Sequence, residues 1–429
     1  MSNARYLCAD REQLRWDLVD LESQLPLDHR ARIVWAFVES LDLCAFYARI
    51  GARDDTAGRP PPDPKVFLSV WLFATLENIG SARAVCRACE RDIAFRWLCG
   101  GVAMNYHGLS DFRSNHADLL DDLLTHSVCG LMAEGLVSLE EVVQDGTKVR
   151  AHAGRGSFVG PQGLARYEAS ARARVHRLRE ELESDPGLSD RRGRAARERA
   201  AREVAERAGR VRKALDKLAE EKAEAAKSNK KGEADRAERQ ASTTDPDARL
   251  MKFADNRMAA GYNIQLAADG WFIIGQAVTD RRNDMGLAEP MVEQLISRYE
   301  QAPDRLVLDT KLATRDQIIS MSNYTDGAVE VYTPVPAVSE HASKESVRKR
   351  KWRQDRESPE IKAWRERMQT DEAEQIMKRR RRIETLNGIV KNRGMGRMLV
   401  RGFQKVRAVV LLQALSNNLM QAHRLRQAL

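Results

Sequence analysis

Two strand-like segments, residues 262–268 and the apolar, β-branched 271–279, flank the dipeptide Asp269-Gly270. Strand-forming residues on either side of a pair that accepts positive φ specify an antiparallel hairpin. The segments downstream of this hairpin narrow the fold further. Residues 287–299 have helical spacing, 305–309 form a short apolar run, 314–320 a short helix, and 328–333 another strand closed by Pro334. A strand–helix–strand passage can lay its strands in parallel, and short continuous apolar runs suit buried parallel strands. Upstream, Val142 and Val143 lead into Asp145, and Lys148, Val149 and Arg150 continue the extended pattern. The expected class is α/β, layered around one mixed sheet.

The remainder reads as helix. Apolar residues recur at helical spacing in 33–41 and 66–76, and again in 81–89, 95–98 and 119–131. The proline-rich stretch 58–64 interrupts them. Residues 106–113 are expected to link two helices, with Ser110 as a cap. This N-terminal domain, 1–135, is expected to bind DNA or to dimerise. Arg83, Arg87, Arg91, Arg96 and Arg113 are its candidate phosphate contacts, each equally readable as a solvated charge. Over 163–240 the composition turns to Ala, Arg, Glu and Lys. Two helices, 164–183 and 192–228, are expected around a break at Ser184-Asp185-Pro186-Gly187 and Asp190. Opposite charges three or four residues apart suit an exposed, inserted helical hairpin, an arm or a spacer. Residues 136–162 and 241–429 then form one α/β domain. Its tail carries a polar linker, 337–357, and helices at 360–367, 372–391 and 406–420.

The formal net charge of +9 over 429 residues favours a polyanionic partner, nucleic acid before membrane. No apolar run approaches a membrane span and the first residues lack an apolar core, so a cytoplasmic location is expected. Six cysteines do not suggest a disulfide scaffold. Besides Cys8, Cys44, Cys99 and Cys129, Cys86 and Cys89 form one CxxC without the second pair that tetrahedral zinc needs. Gly154, Gly156 and Gly160 lack a Walker-type ending. His107, His116 and His152 are candidate phosphate neighbours, without the partners of a hydrolase triad.

Three carboxylates stand out. Asp145 and Asp309 follow apolar strands, where an unpaired carboxylate is costly. Glu384 follows four consecutive arginines on an expected helix. Arg380, Asn387, Gly388 and Lys391 share its helical face. Phosphodiester transfer needs an activated oxygen nucleophile and neutralised phosphate charge, which two divalent ions held by a few carboxylates supply. Spacing alone also allows strand-end caps, salt-bridge partners and a solvated basic helix. Lys148, Arg393, Arg401 and Lys405 add cations able to face DNA, as do Arg379, Arg381 and Arg382. Asp255 is an alternative carboxylate, ranked below Asp309 because it precedes a strand instead of ending one. Asp280, Asp284 and Glu289 read as surface or cap residues.

Several ordered blocks carry a resemblance. They are Asp145-Gly146-Thr147-Lys148, Thr244-Asp245-Pro246-Asp247, Gly261-Tyr262-Asn263-Ile264-Gln265, the Arg380, Glu384 and Lys391 helix, Arg401-Gly402-Phe403-Gln404-Lys405 and Leu415-Ser416-Asn417-Asn418-Leu419. With these the chain resembles bacterial insertion-sequence transposases of the IS1182 group, within the DDE, RNase H-like transposases. The resemblance implies an RNase H-like core. Asp145, Asp309 and Glu384 would be catalytic and hold two Mg²⁺, with Mn²⁺ as a substitute. The substrate would be double-stranded DNA at element ends and target, with Arg380 and Lys391 positioning phosphate. The protein would act as a homodimer or higher oligomer. The chain departs from the family pattern at Met377, where a tyrosine is usual, and at Thr310, Lys311 and Leu312. It departs again at Asn256 and Arg257, where glycines are usual. An inactive DNA-binding relic, or a nuclease without strand transfer, fits the same features.

Overall fold

The computed structural model describes residues 20–52, 60–184, 191–227, 240–310, 312–324, 329–336 and 357–428. The sequence readings of Cys8, Gly58, Arg59, residues 185–190, Lys311, Ala328 and the 337–356 linker fall outside them.

The fold is mixed α/β, with a multi-stranded sheet and an N-terminal helical region. Strands β1 (Glu141–Arg150), β4 (Arg249–Lys252), β5 (Met258–Asp269), β6 (Phe272–Thr279), β7 (Arg305–Leu308) and β8 (Glu330–Tyr332) form one sheet. β1 pairs antiparallel with β5 and parallel with β7, and β7 pairs parallel with β8. β6 returns antiparallel along β5 through the expected turn, where Gly270 takes φ +55°. The parallel strands are buried throughout their apolar runs, as their composition requires. β4 is a short extra strand on β5. Its turn into β5 contains Asn256 at φ +60°. Asparagine tolerates this left-handed conformation better than most residues with a side chain.

The N-terminal helices are α1 (Arg30–Glu39), α2 (Cys44–Ala48), α3 (Pro64–Leu76), α4 (Ala82–Arg91), α5 (Ile93–Cys99), α6 (Tyr106–Asn115) and α7 (Ala117–Ala133). Residues 106–113, read as a link, instead belong to α6. Asn105 caps that helix by accepting from Gly108 N at 2.7 Å, and Leu109 and Phe112 are buried. Arg113 is not a phosphate contact. It is buried over the Trp71 ring and donates to Gly80 O, and desolvation lowers its pKa to about 10. His116 is likewise structural, stacked on Phe46 and tilted against Phe112, which themselves stack on each other.

The insertion forms α8 (Pro161–Ser184) and α9 (Arg191–Lys227). A ribbon of β2 (Phe158–Val159) and β3 (Ala241–Ser242) closes its base. Leu164, Val211, Leu218 and Ala241 make a small core of their own. The sheet and the N-terminal helices share one much larger core.

On the sheet lie α10 (Ala288–Tyr299) and α11 (Arg315–Ser322). The tail adds α12 (Pro359–Arg367), α13 (Asp371–Arg379), α14 (Arg381–Val390) and the long α15 (Phe403–Arg426). α15 packs between β6 and the helices α3 and α7. Its buried Asn418 accepts from Ile273 N (2.8 Å) and donates to Ile273 O (2.7 Å), pairing with the free edge of β6 as a strand would. Ser416 donates to Leu72 O on α3. Thus Ser416, Asn417 and Asn418 join sheet to N-terminal helices. Among the described residues no helix is long and apolar enough to cross a membrane.

Candidate active site

β1 is the spine of the site. Its register with β7 runs from Glu141 opposite Arg305 to Gln144 opposite Leu308. β7 then stops, so Asp145 and Asp309 both follow the last paired residues of neighbouring strands. Asp145 is therefore mid-strand on β1 and not at its end, since β1 continues to Arg150 against β5. Thr333 Oγ1 donates to Asp309 O at 3.0 Å and fixes the backbone where β7 opens out.

The tail runs along β1 through three attachments. Arg379, ending α13, pairs with Glu141 at the start of the strand. Asn387 on α14 donates from Nδ2 to Asp145 Oδ2 at 2.8 Å. Beyond α14, Arg150 N donates to Gly396 O and Met398 N to Arg150 O, extending the sheet by one bridge. The helix expected over 372–391 is thus interrupted at Arg380, between α13 and α14. Its C-terminal end passes through a distorted turn with Gly394 at φ +93°. Arg379 belongs to an ion pair, whereas Arg381 and Arg382 are exposed.

Arg380 collects the other two acids. Its Nη2 donates to Glu384 Oε1 at 2.7 Å, and Nη1 lies 3.9 Å from Asp309 Oδ1. The Asp309 and Glu384 side chains are 55% and 52% exposed, against 20% for Arg380, so the acids open to solvent around a more sheltered cation. Burial pushes the Asp145 carboxyl up to about 6. The Arg380 charge, the Gly146 N–H and the Asn387 amide oppose that rise, and the Asp309 charge adds to it. Asp145, Asp309, Glu384, Arg380 and Asn387 form one neighbourhood.

Could these residues hold a metal? Among the described residues, no three His, Cys, Asp or Glu side chains stand together around a single point. The donor chemistry nevertheless fits a hard divalent cation. It comprises three carboxylates and the buried Asn387 Oδ1, which has no hydrogen-bond partner, whereas the Arg380 guanidinium beside them gives a cation no ligand.

The other sequence candidates are dispersed. Desolvation lowers the Lys391 pKa and the Asp145 charge opposes this; the side chain keeps open surface, but protein crowds around it. Asn387 is buried beside the acids. Lys148 Nζ donates to Lys252 O. Arg401 Nε donates to the carbonyl of His152, and Lys405 is exposed in the first turn of α15. Arg393 is half-buried; desolvation lowers its pKa, with the Arg30 charge acting in the same direction. Asp255 pairs with Arg150 at 2.6 Å, five residues along β1 from Asp145. Met377 packs against the core.

Sequence reasoning missed Asp284. Alternation along β1 puts Gly146 on the face opposite Asp145. A Cβ on Gly146 would stand 2.1 Å from Asp284 Oδ1, which accepts from Asn263 and Gln265 at 2.7 Å each. Asp284 therefore fills the back of the strand and is not simply a surface or cap residue. The glycine after Asp145 was the available signal, because it permits a close approach.

A model of the transposase DDE domain matches residues 238–419, and one of a transposase domain (DUF772) matches residues 19–115. No curated protein and no solved structure matches the chain. The DDE match contains Asp309 and Glu384 and begins after Asp145, which the strand register sets beside Asp309. With two transposase domains matched in order along it, the chain belongs to the DDE transposase superfamily.

Proposed function

We propose that this protein cuts and joins DNA phosphodiester bonds at insertion-sequence ends, with Asp145, Asp309 and Glu384 as the catalytic carboxylates. One observation carries the reading: Arg380 gathers Asp309 and Glu384 beside the Asp145 that Asn387 holds. The strand order is further support. Outside the extra β4, it runs β6-β5-β1-β7-β8, with the first three strands antiparallel and the last three parallel. We take this as an RNase H-like core, interrupted by the α8–α9 arm at 163–240. It spans 136–162 and 241–429 and comes after a DNA-binding or dimerising domain at 1–135.

Two Mg²⁺ held by the three carboxylates would supply Lewis-acid activation of water or a sugar hydroxyl and neutralise the scissile phosphate. The chain's own residues supply placement. Asn387 fixes the Asp145 carboxylate through one amide hydrogen bond. The β1–β7 register sets Asp309 next to it. α14 brings Glu384 across the site. Arg380 and Lys391 offer cations to phosphate oxygens, Arg380 with a planar fork suited to bidentate contact. Water attack on an element end would break the bond to leave a 3′-hydroxyl, whose oxygen then attacks a target phosphate in line and displaces the target's 3′ oxygen. Joining two ends calls for at least a dimer on DNA.

Asp309→Asn and Glu384→Gln proteins, incubated with a labelled element end and Mg²⁺, are expected to bind DNA and to neither nick nor join it. A variant that joins ends at the wild-type rate would refute the assignment. Tight binding by the unaltered chain without metal-dependent nicking would identify an inactive relic, the reading that Met377 and Thr310 favour. Nicking without joined product would identify a nuclease.

A further inference from the structure

Arg380 stands where a metal-binding site would need positive charge. It lies between Asp309 and Glu384, is more sheltered than either, and acts electrostatically on Asp145. A guanidinium stays protonated at any relevant pH, so it leaves such a position only by moving. Three carboxylates brought together without a cation repel one another, and one guanidinium offsets part of that repulsion. A guanidinium and divalent cations sharing those oxygens would in turn repel. Phosphate offers Arg380 a competing anion with matching bidentate geometry.

We propose that Arg380 is the resident counter-cation of the metal-free site, exchanged for divalent ions when a DNA phosphate draws the guanidinium away. This rests on the DDE reading above. Its consequence is coupling: DNA tightens metal binding and metal tightens DNA binding by the same factor, as linkage requires. Arg380 thereby discourages loading of the site in free protein. It acts as a positioning residue before it acts on phosphate.

The test measures Mn²⁺ binding to the full chain by the electron paramagnetic resonance of free Mn²⁺, with and without a short mixed-sequence DNA duplex. R380Q is expected to bind Mn²⁺ roughly fivefold tighter than wild type without DNA, the effect of removing two largely exposed ion pairs. The duplex is expected to tighten Mn²⁺ binding to wild type by a larger factor than to R380Q, where the phosphate still joins the metal but has no guanidinium to draw away. R380K, which keeps a charge there, is expected to behave as wild type. Unchanged or weaker binding in R380Q overturns the exchange, as does an R380K that tightens as much as R380Q. D309N separates the two ideas. If it lowers Mn²⁺ affinity while R380Q does not raise it, the site stands and the exchange fails. If D309N binds Mn²⁺ as wild type does, the metal-site reading itself fails.

Discussion

Asp145 and Asp245 are both enclosed by the fold, and burial pushes both carboxyls up to about 6. Their surroundings are otherwise opposite. Asp245 has no accessible surface. The Tyr262 hydroxyl lies 2.8 Å from both of its oxygens, and Gly402 N donates to it at 3.1 Å. Asp247 next to it accepts from Phe403 N. Together they pin the start of α15, with Arg401 and Lys405, to the segment where the chain re-enters the sheet domain after the arm. Asp145 has one side-chain donor, Asn387, and faces an arginine shared among acids. The same desolvation is met in one place by fixed hydrogen-bond donors and in the other largely by the charge of Arg380. A carboxylate that closes a fold has its lone pairs committed, whereas one that takes a ligand keeps capacity in reserve.

Exchanging each aspartate for asparagine should separate the two roles most sharply. Asp145→Asn is expected to lower DNA cleavage in Mg²⁺ by about a thousandfold or more, the several kcal/mol that metal-assisted charge stabilisation supplies, with no loss of thermal stability. Asp245→Asn should act on stability, and with a definite sign. The folded pKa of about 6 lies above the ordinary 3.8, so the folded state binds that proton more tightly than the unfolded chain. The associated stability is present below pH 4 and lost as pH rises through 6. Between pH 4 and 7 the difference in urea midpoints should therefore move in favour of Asp245→Asn, by up to about 3 kcal/mol. A pH-independent difference would break the comparison.

Asn387→Leu tests the one fixed donor on the reactive side. Its loss should slow cleavage roughly 10–100-fold, the usual range for a group that orients a metal ligand, with DNA affinity retained in a filter-binding assay. An equal fall in DNA affinity would return Asn387 to the role of a DNA contact. The smallest effect is expected from Tyr262→Phe. Leaving Asp245 with fewer donors should cost about 1–2 kcal/mol in denaturant unfolding, with the cleavage rate of the folded fraction unchanged.

The hairpin at Asp269-Gly270, the β7 and β8 strands, the arm helices and α15 were all legible in the sequence, because each arises from local periodicity and turn chemistry. The three acids were singled out by their positions after apolar runs and on a basic helix, and by the resemblance to the DDE transposases. The expected link at 106–113 failed because Leu109 and Phe112 find buried partners that a local reading cannot weigh. The expected phosphate contact at Arg113 failed for the same reason: a cation next to Trp71 is core or surface depending on what covers it. Asp284 was passed over because its role lies in Gly146, more than a hundred residues away.

By itself the sequence determined the elements, the mixed-sheet class, a basic character suited to nucleic acid and a short roster of acids. Those properties depend on neighbours along the chain. Only the tertiary structure decided that β7 ends beside Asp145, that the tail helix breaks at Arg380 and lies along β1, and that Asn387 turns inward while Arg380 stands among the acids. Such outcomes depend on register and packing between segments far apart along the chain, where burial and charge pairing act and local propensity has no say.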